Sequence, residues 1–156
     1  MTRNMTRLGL SSALAMLMAI VGASTAIAQS AYTVVEVWKD PYCGCCTKWI
    51  DRMRAAGYKI GVHDTKSLNA IKTKHGVPAR LKSCHTARVN GYVIEGHVPV
   101  SDVKRLLNQR PNAAGISVPG MPIGSPGMEV ASGETEPYEV LLFDKRGRTT
   151  VFAKHN

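Results

Sequence analysis

Aromatic side chains are scarce, 6% of 156 residues, with two tryptophans and two phenylalanines among them. Proteins that hold single-stranded nucleic acid stack its bases on such rings, so this chain has little material for that task. Acidic residues are outnumbered, 11 against 20 lysines and arginines, for a formal net charge of +9. The positive residues nevertheless form no long block or stripe. The densest group, Lys145, Arg146 and Arg148, surrounds Gly147 in what reads as a hairpin turn. Nucleic-acid binders concentrate basic charge on a stripe or in a recognisable motif, so we read the excess as solvated surface and expect no nucleic-acid partner. Long apolar runs are missing beyond the first 28 residues, which leaves nothing of a length to cross a bilayer. No internal repeat exceeds a pair of Pro-Gly-Met steps ending at Met121 and Met128.

The N-terminus carries an address. Arg3 and Arg7 precede an apolar, small-residue stretch from Leu8 to Ala23, and Ala26-Ile27-Ala28 fits the A-x-A pattern for cleavage before Gln29. Residues 1–28 are therefore expected to be a signal peptide and 29–156 a single exported, periplasmic domain, of a size that buries one modest core. Loss of Arg3 and Arg7 with the leader lowers the formal charge from +9 to +7.

The remaining chain alternates in pattern. Tyr32 to Trp38 is rich in β-branched and aromatic residues and predicts a strand that Pro41 stops. From Cys46, Trp49, Ile50, Met53 and Ala56 recur at helical spacing up to Gly57. Tyr58 to His63 predicts a second strand. Such a strand-helix-strand unit places functional residues at its first junction. Leu68 to His75 predicts a short helix. Asn90-Gly91 between His85–Val89 and Tyr92–Ile94 is a hairpin signal, and Pro99 opens a helix with Val100, Val103, Leu106 and Leu107 on its apolar face. Residues 111–137, with five prolines and five glycines, predict a long loop of the functional kind. Tyr138–Asp144 and Thr149–Ala153 predict a closing hairpin. The order predicts an α/β, thioredoxin-like domain: a central mixed sheet, flanking helices, and a Pro/Gly/Met-rich loop inserted before the C-terminal hairpin.

Chemistry concentrates in Tyr42-Cys43-Gly44-Cys45-Cys46, which holds three of the four cysteines. Cys43 and Cys46 have the Cys-x-x-Cys spacing seen where thioredoxins begin a helix, and a thiol in a first helical turn has its thiolate stabilised by free N–H groups and the helix dipole. Two structural disulfides are the plain reading for an exported chain. Of the three connectivities, the one pairing adjacent Cys45 and Cys46 is strained, and the others leave a tight local pair that constrains little chain. A thiol-disulfide oxidoreductase using Cys43 and Cys46 explains those two residues and the fold, but not Cys45, Cys84 or the methionines. Metal binding accounts for more of the features together. Thiolate and thioether donors select soft ions, Cu(I) above all, and zinc rarely recruits methionine.

Among the histidines, His97 lies between a hairpin and a helix, where ligands often project. His85 directly follows Cys84, and strand neighbours point to opposite faces, so it is placed outside the site. His63, His75 and His155 read as surface residues, and Met53 as core.

Several linked motifs resemble the CopG-type family of periplasmic copper-resistance proteins: Cys43-Gly44-Cys45-Cys46-x-x-Trp49, Ser83-Cys84-His85-Thr86, Gly91-Tyr92-Val93-Ile94-Glu95-Gly96-His97-Val98-Pro99, and Val118-Pro119-Gly120-Met121-Pro122-x-Gly124-Ser125-Pro126-Gly127-Met128-Glu129. The resemblance runs from about Val34 to His155. It implies a thioredoxin-like fold, a cysteine-rich copper cluster, and a role in interconverting copper oxidation states during copper resistance. Position by position it implicates Cys43, Cys45, Cys46 and Cys84, with Met121, Met128 and His97 as further contributors. The partners expected are copper ions and other periplasmic copper-handling proteins, with no membrane contact after leader cleavage.

Overall fold

In β1, Val34–Lys39, the alternation of the sequence becomes an alternation of faces: Val35 and Val37 are fully buried, whereas Val34 is exposed. The computed structural model describes residues 33–156, so the expected leader and Tyr32 lie outside the described residues. The helix α1, Gly44–Ala55, follows a turn in which the Tyr42 N–H donates to Asp40 Oδ1 at 2.9 Å and the Cys43 N–H to the Asp40 carbonyl at 3.0 Å. Its inward stripe is Cys46, Trp49, Ile50 and Met53, the i, i+3, i+4, i+7 spacing of one helical face. Met53 is core, as expected.

The chain then returns in β2, Lys59–Asp64, parallel to β1. The short helix α2, Leu68–Lys74, has Ser67 at its N-cap, although the hydroxyl makes no capping bond. A single 3₁₀ turn, Ala79–Leu81, leads to β3, Thr86–Val89, and the Asn90-Gly91 turn joins it to β4, Tyr92–Glu95. Next come α3, Val100–Gln109, then β5, Gly115–Ser117, and the closing hairpin of β6, Tyr138–Phe143, and β7, Thr149–His155.

Among the described residues, the seven strands form one mixed sheet in the order β2-β1-β3-β4-β5-β6-β7. The β1–β2 and β4–β5 pairs are parallel and the others antiparallel. The alternation in β4 divides the core. Ile94 joins the large cluster of Val35, Val37, Trp49, Ile50, Val103 and Leu106, where α1 and α3 cover the sheet. Its neighbour Val93 joins a smaller cluster with Val77, Leu81 and Phe143.

One expectation needs correction. The segment 111–137 is not wholly irregular, because β5 lies within it. Three residues between Pro111 and Pro119 are too few for a periodic signal. Their pairing with β4 on one side and β6 on the other makes the C-terminal hairpin continuous with the central sheet. Among the described residues no helix is long and apolar enough to cross a membrane.

Candidate metal centre

Cys43 occupies the N-cap of α1, and its sulfur accepts the Cys46 N–H at 3.3 Å, the place an oxygen of Ser or Asp usually takes. Cys45 and Cys46 fall in the first turn, as the spacing predicts. Cys43 and Cys46 are joined as a disulfide, while Cys45 and Cys84 are free. The structure thus has one disulfide where the two-disulfide reading needs two. Cys45 Sγ lies 3.4 Å from Cys43 Sγ, and Cys84 Sγ lies 3.5 Å from Cys46 Sγ. All four sulfurs are within 4.8 Å of one another.

Cys84 reaches the cluster because the chain bends there, just before β3. It meets two imidazoles: Nε2 of His97 is 2.8 Å from its sulfur and Nδ1 of His85 is 3.1 Å away. Cys84, His85 and His97 form a second group of donor atoms within 4.8 Å. His85 is the residue that sequence reasoning set aside. Strand alternation does not govern it, since β3 starts at Thr86, and the bend turns Cys84 and His85 toward the same centre. The bend itself left no signal in the sequence beyond the adjacent Cys-His pair.

Proton positions follow from what each partner can do. The Pro126 carbonyl, 2.8 Å from His97 Nδ1, can only accept, so Nδ1 carries the hydrogen and the neutral ring turns a lone pair toward Cys84. Burial lowers the His97 pKa, against the opposing pull of the Pro126 carbonyl and Glu129. Burial first, then the neighbouring Cys45, push the Cys84 thiol up to about 12. In the metal-free protein Cys84 is therefore a thiol whose S–H points at His97. Burial, with His97 and Lys72 adding to it, holds His85 well below the ordinary histidine range. If its Nδ1–H donates to Cys84, its Nε2 is a buried lone pair, and that atom has no hydrogen-bond partner. The Trp49 ring packs against His85 at 4.5 Å between centroids, while Trp49 Nε1–H donates to the Val98 carbonyl at 2.8 Å.

The segment 111–137 does reach this centre. A Cβ on Gly127, which has φ +93°, would stand 2.6 Å from the Cys45 carbonyl oxygen, so only glycine allows the segment to lie this close. Glu129 accepts the Gly127 N–H at 3.0 Å and pairs with Arg52 of α1 at 2.7 Å, which pins the segment over the helix. On the other side of the bend, Ser83 Oγ donates to the Gly120 carbonyl. Met128 is half-buried in this segment and Met121 is 51% exposed.

The remaining histidines have other partners. His63 bonds Glu36 at 2.6 Å, His155 bonds Asp102 at 2.6 Å, and His75 packs on Trp38.

Four cysteine sulfurs, two of them free thiols, and a second group in which Cys84 meets two imidazoles make a candidate soft-donor metal centre on a mixed α/β sheet, with a glycine-rich segment packed over it. The family described as "Protein of unknown function, DUF411" matches residues 81–128, the stretch that holds Cys84, His85 and His97. Two solved structures resemble the chain at 38% identity. One, titled "Copper resistance protein copG- Form 2", has a TM-score of 0.76 over 80% of this chain and 99% of its own. The other, "Copper resistance protein copG- Form 1", has a TM-score of 0.74 over 78% and 96%. No curated protein matches. The chain belongs to the CopG family of copper-resistance proteins.

Proposed function

We propose that this chain is a periplasmic copper-binding protein of copper resistance, which holds Cu(I) on Cys43, Cys45, Cys46 and Cys84 with His97 and His85 beside them. The observation that carries this reading is the convergence of four sulfurs within 4.8 Å at the start of α1. The donor set fits the ion: thiolates prefer a soft monovalent cation, and imidazole is an accepted companion. Met121 and Met128, on the covering segment, are further thioether donors in this proposal. Residues 1–28 act as the export signal and 29–156 as the metal-binding domain. The core order β2-β1-β3-β4, with β3 antiparallel to the other three, supports a thioredoxin-like ancestry for the scaffold.

The residues divide the work. Full thiolate capacity requires an external two-electron reductant of the dithiol class, which is oxidised to its own disulfide as the Cys43–Cys46 bond is reduced to two thiols. Metal capture then displaces the thiol protons. His97 Nε2 faces Cys84 Sγ, in position to take that residue's proton or to act as a ligand itself. Trp49, His85 and the Pro126-Gly127 step exclude water from the inner side. Bound copper supplies a one-electron couple, the basis for interconversion of its oxidation states.

The test is copper retention. Reduced protein loaded anaerobically with Cu(I) and desalted should keep the metal, and Cys84→Ser and Cys43→Ser should lose it. Equal retention by wild type and both variants refutes the site. The Cys43–Cys46 disulfide at a helix start favours one second reading, a thiol-disulfide oxidoreductase. Rapid insulin reduction by metal-free protein, dependent on Cys43 and Cys46 but not on Cys84, would establish that activity instead.

A further inference from the structure

Beside the centre lies a buried ion pair that metal binding itself does not use. Glu95 is 0% exposed and Lys72 4%. Lys72 Nζ donates to Glu95 Oε1 at 2.6 Å and to Thr86 Oγ1 at 3.1 Å. The Ser83 N–H donates to the same Oε1 at 2.7 Å, and the Thr86 hydroxyl donates to Oε2 at 2.6 Å. A buried pair of this kind is poor evidence of stabilisation, since apolar replacements often do as well. Its bonds, however, fall on Ser83 and Thr86, the two residues that bracket Cys84 and His85. The next links of the same strand end also reach the bend: the Gly96 N–H donates to the His85 carbonyl at 3.0 Å, and His97 meets Cys84.

We propose that Glu95 and Lys72 are positioning residues of the metal centre: the Glu95 carboxylate, held by the Lys72 ammonium, clamps both ends of the 83–86 bend so that Cys84 and His85 face the thiols of α1. The proposal rests on the reading of that centre as a copper site. Groups that orient metal ligands from behind typically govern metal affinity by about 10- to 100-fold. Glu95→Gln keeps the shape but leaves one acceptor oxygen for three donors. Lys72→Met keeps the length and removes the ammonium.

The experiment uses the full mature chain in two readouts: Cu(I) affinity by competition with a chromogenic chelator, and the rate at which iodoacetamide alkylates Cys84 in reduced, metal-free protein. Glu95→Gln and Lys72→Met should weaken Cu(I) binding by about tenfold or more and speed Cys84 alkylation, and Lys72→Arg should restore most of the affinity. The control is Asp102→Asn. Asp102 is also buried and bonded, but to Arg105 and His155, so this variant should lower the unfolding midpoint and leave both readouts unchanged. Should the single variants fail to fold, the double change Lys72→Met with Glu95→Leu leaves no lone buried charge and is expected to fold while still binding Cu(I) more weakly. Unchanged Cu(I) affinity in the Glu95 and Lys72 variants, or an equal loss in Asp102→Asn, overturns the proposal. A wild type that holds no copper, with the Cys84 alkylation shift intact, refutes the copper reading and leaves the clamp standing.

Discussion

The two halves of the centre are built by different means. Cys43, Cys45 and Cys46 are brought together by one turn of one helix, within four residues, and Cys43 caps that helix with its own sulfur. Cys84, His85 and His97 are brought together by a bend, a hairpin and a covering segment, each held by bonds distant in sequence: Glu95 to Ser83, Pro126 to His97, Glu129 to Arg52. Local geometry makes the first half cheap to form. The second half exists only when the sheet is assembled, so it is where substitutions far from the thiols should act on the metal.

That contrast can be broken most strongly at Gly96. Its φ is +75°, and a Cβ there would collide with the Ser83 side chain. Gly96→Ala should cost about 2–5 kcal/mol, from left-handed strain together with overpacking, measured by urea unfolding of metal-free protein. The helix half lies outside that contact, so the Cys43–Cys46 disulfide should still form in the folded fraction.

An acid titration sharpens the comparison with a smaller effect. The folded-state pKa of His85 is depressed by burial, so its contribution to stability is full above the unfolded value of about 6.5. As the pH falls below that value the unfolded chain takes up a proton that the fold refuses, and stability declines by up to about 1.4 kcal/mol per pH unit. Glu95, raised by burial, acts in the opposite sense, so the measurement is a comparison with His85→Phe. Wild type should lose more stability than the variant between pH 6.5 and pH 5. Equal slopes would show that His85 is not held neutral.

The smallest effect belongs to Arg52→Ala. The Arg52–Glu129 pair is 51% and 41% exposed, and such surface pairs contribute about 0–1 kcal/mol. Thermal unfolding should barely change. A loss of several kcal/mol would mean that the covering segment matters to the fold as a whole.

The same division explains what was legible in the sequence. The turn at Pro41, the helix stripe of Trp49, Ile50 and Met53, and the Asn90-Gly91 hairpin are written in local spacing, and each appears where expected. Cys84 could be suspected of folding back because it is a fourth soft donor, and His97 because of its place between two elements. His85 is set aside by an alternation rule that does not reach it, because it lies just outside the strand and beside Cys84. Nothing local marks the bend, which is set by a carboxylate twelve residues further on. β5 escaped for a related reason. Gly115–Ser117 is a strand only because β4 and β6 offer it edges.

X-ray absorption at the copper edge of the Cu(I)-loaded, reduced protein tests the central claim most directly. The account predicts a sulfur-dominated environment that loses sulfur neighbours in Cys84→Ser, because both halves hold the metal. A spectrum dominated by nitrogen and oxygen, or one that Cys84→Ser leaves unchanged, would contradict it.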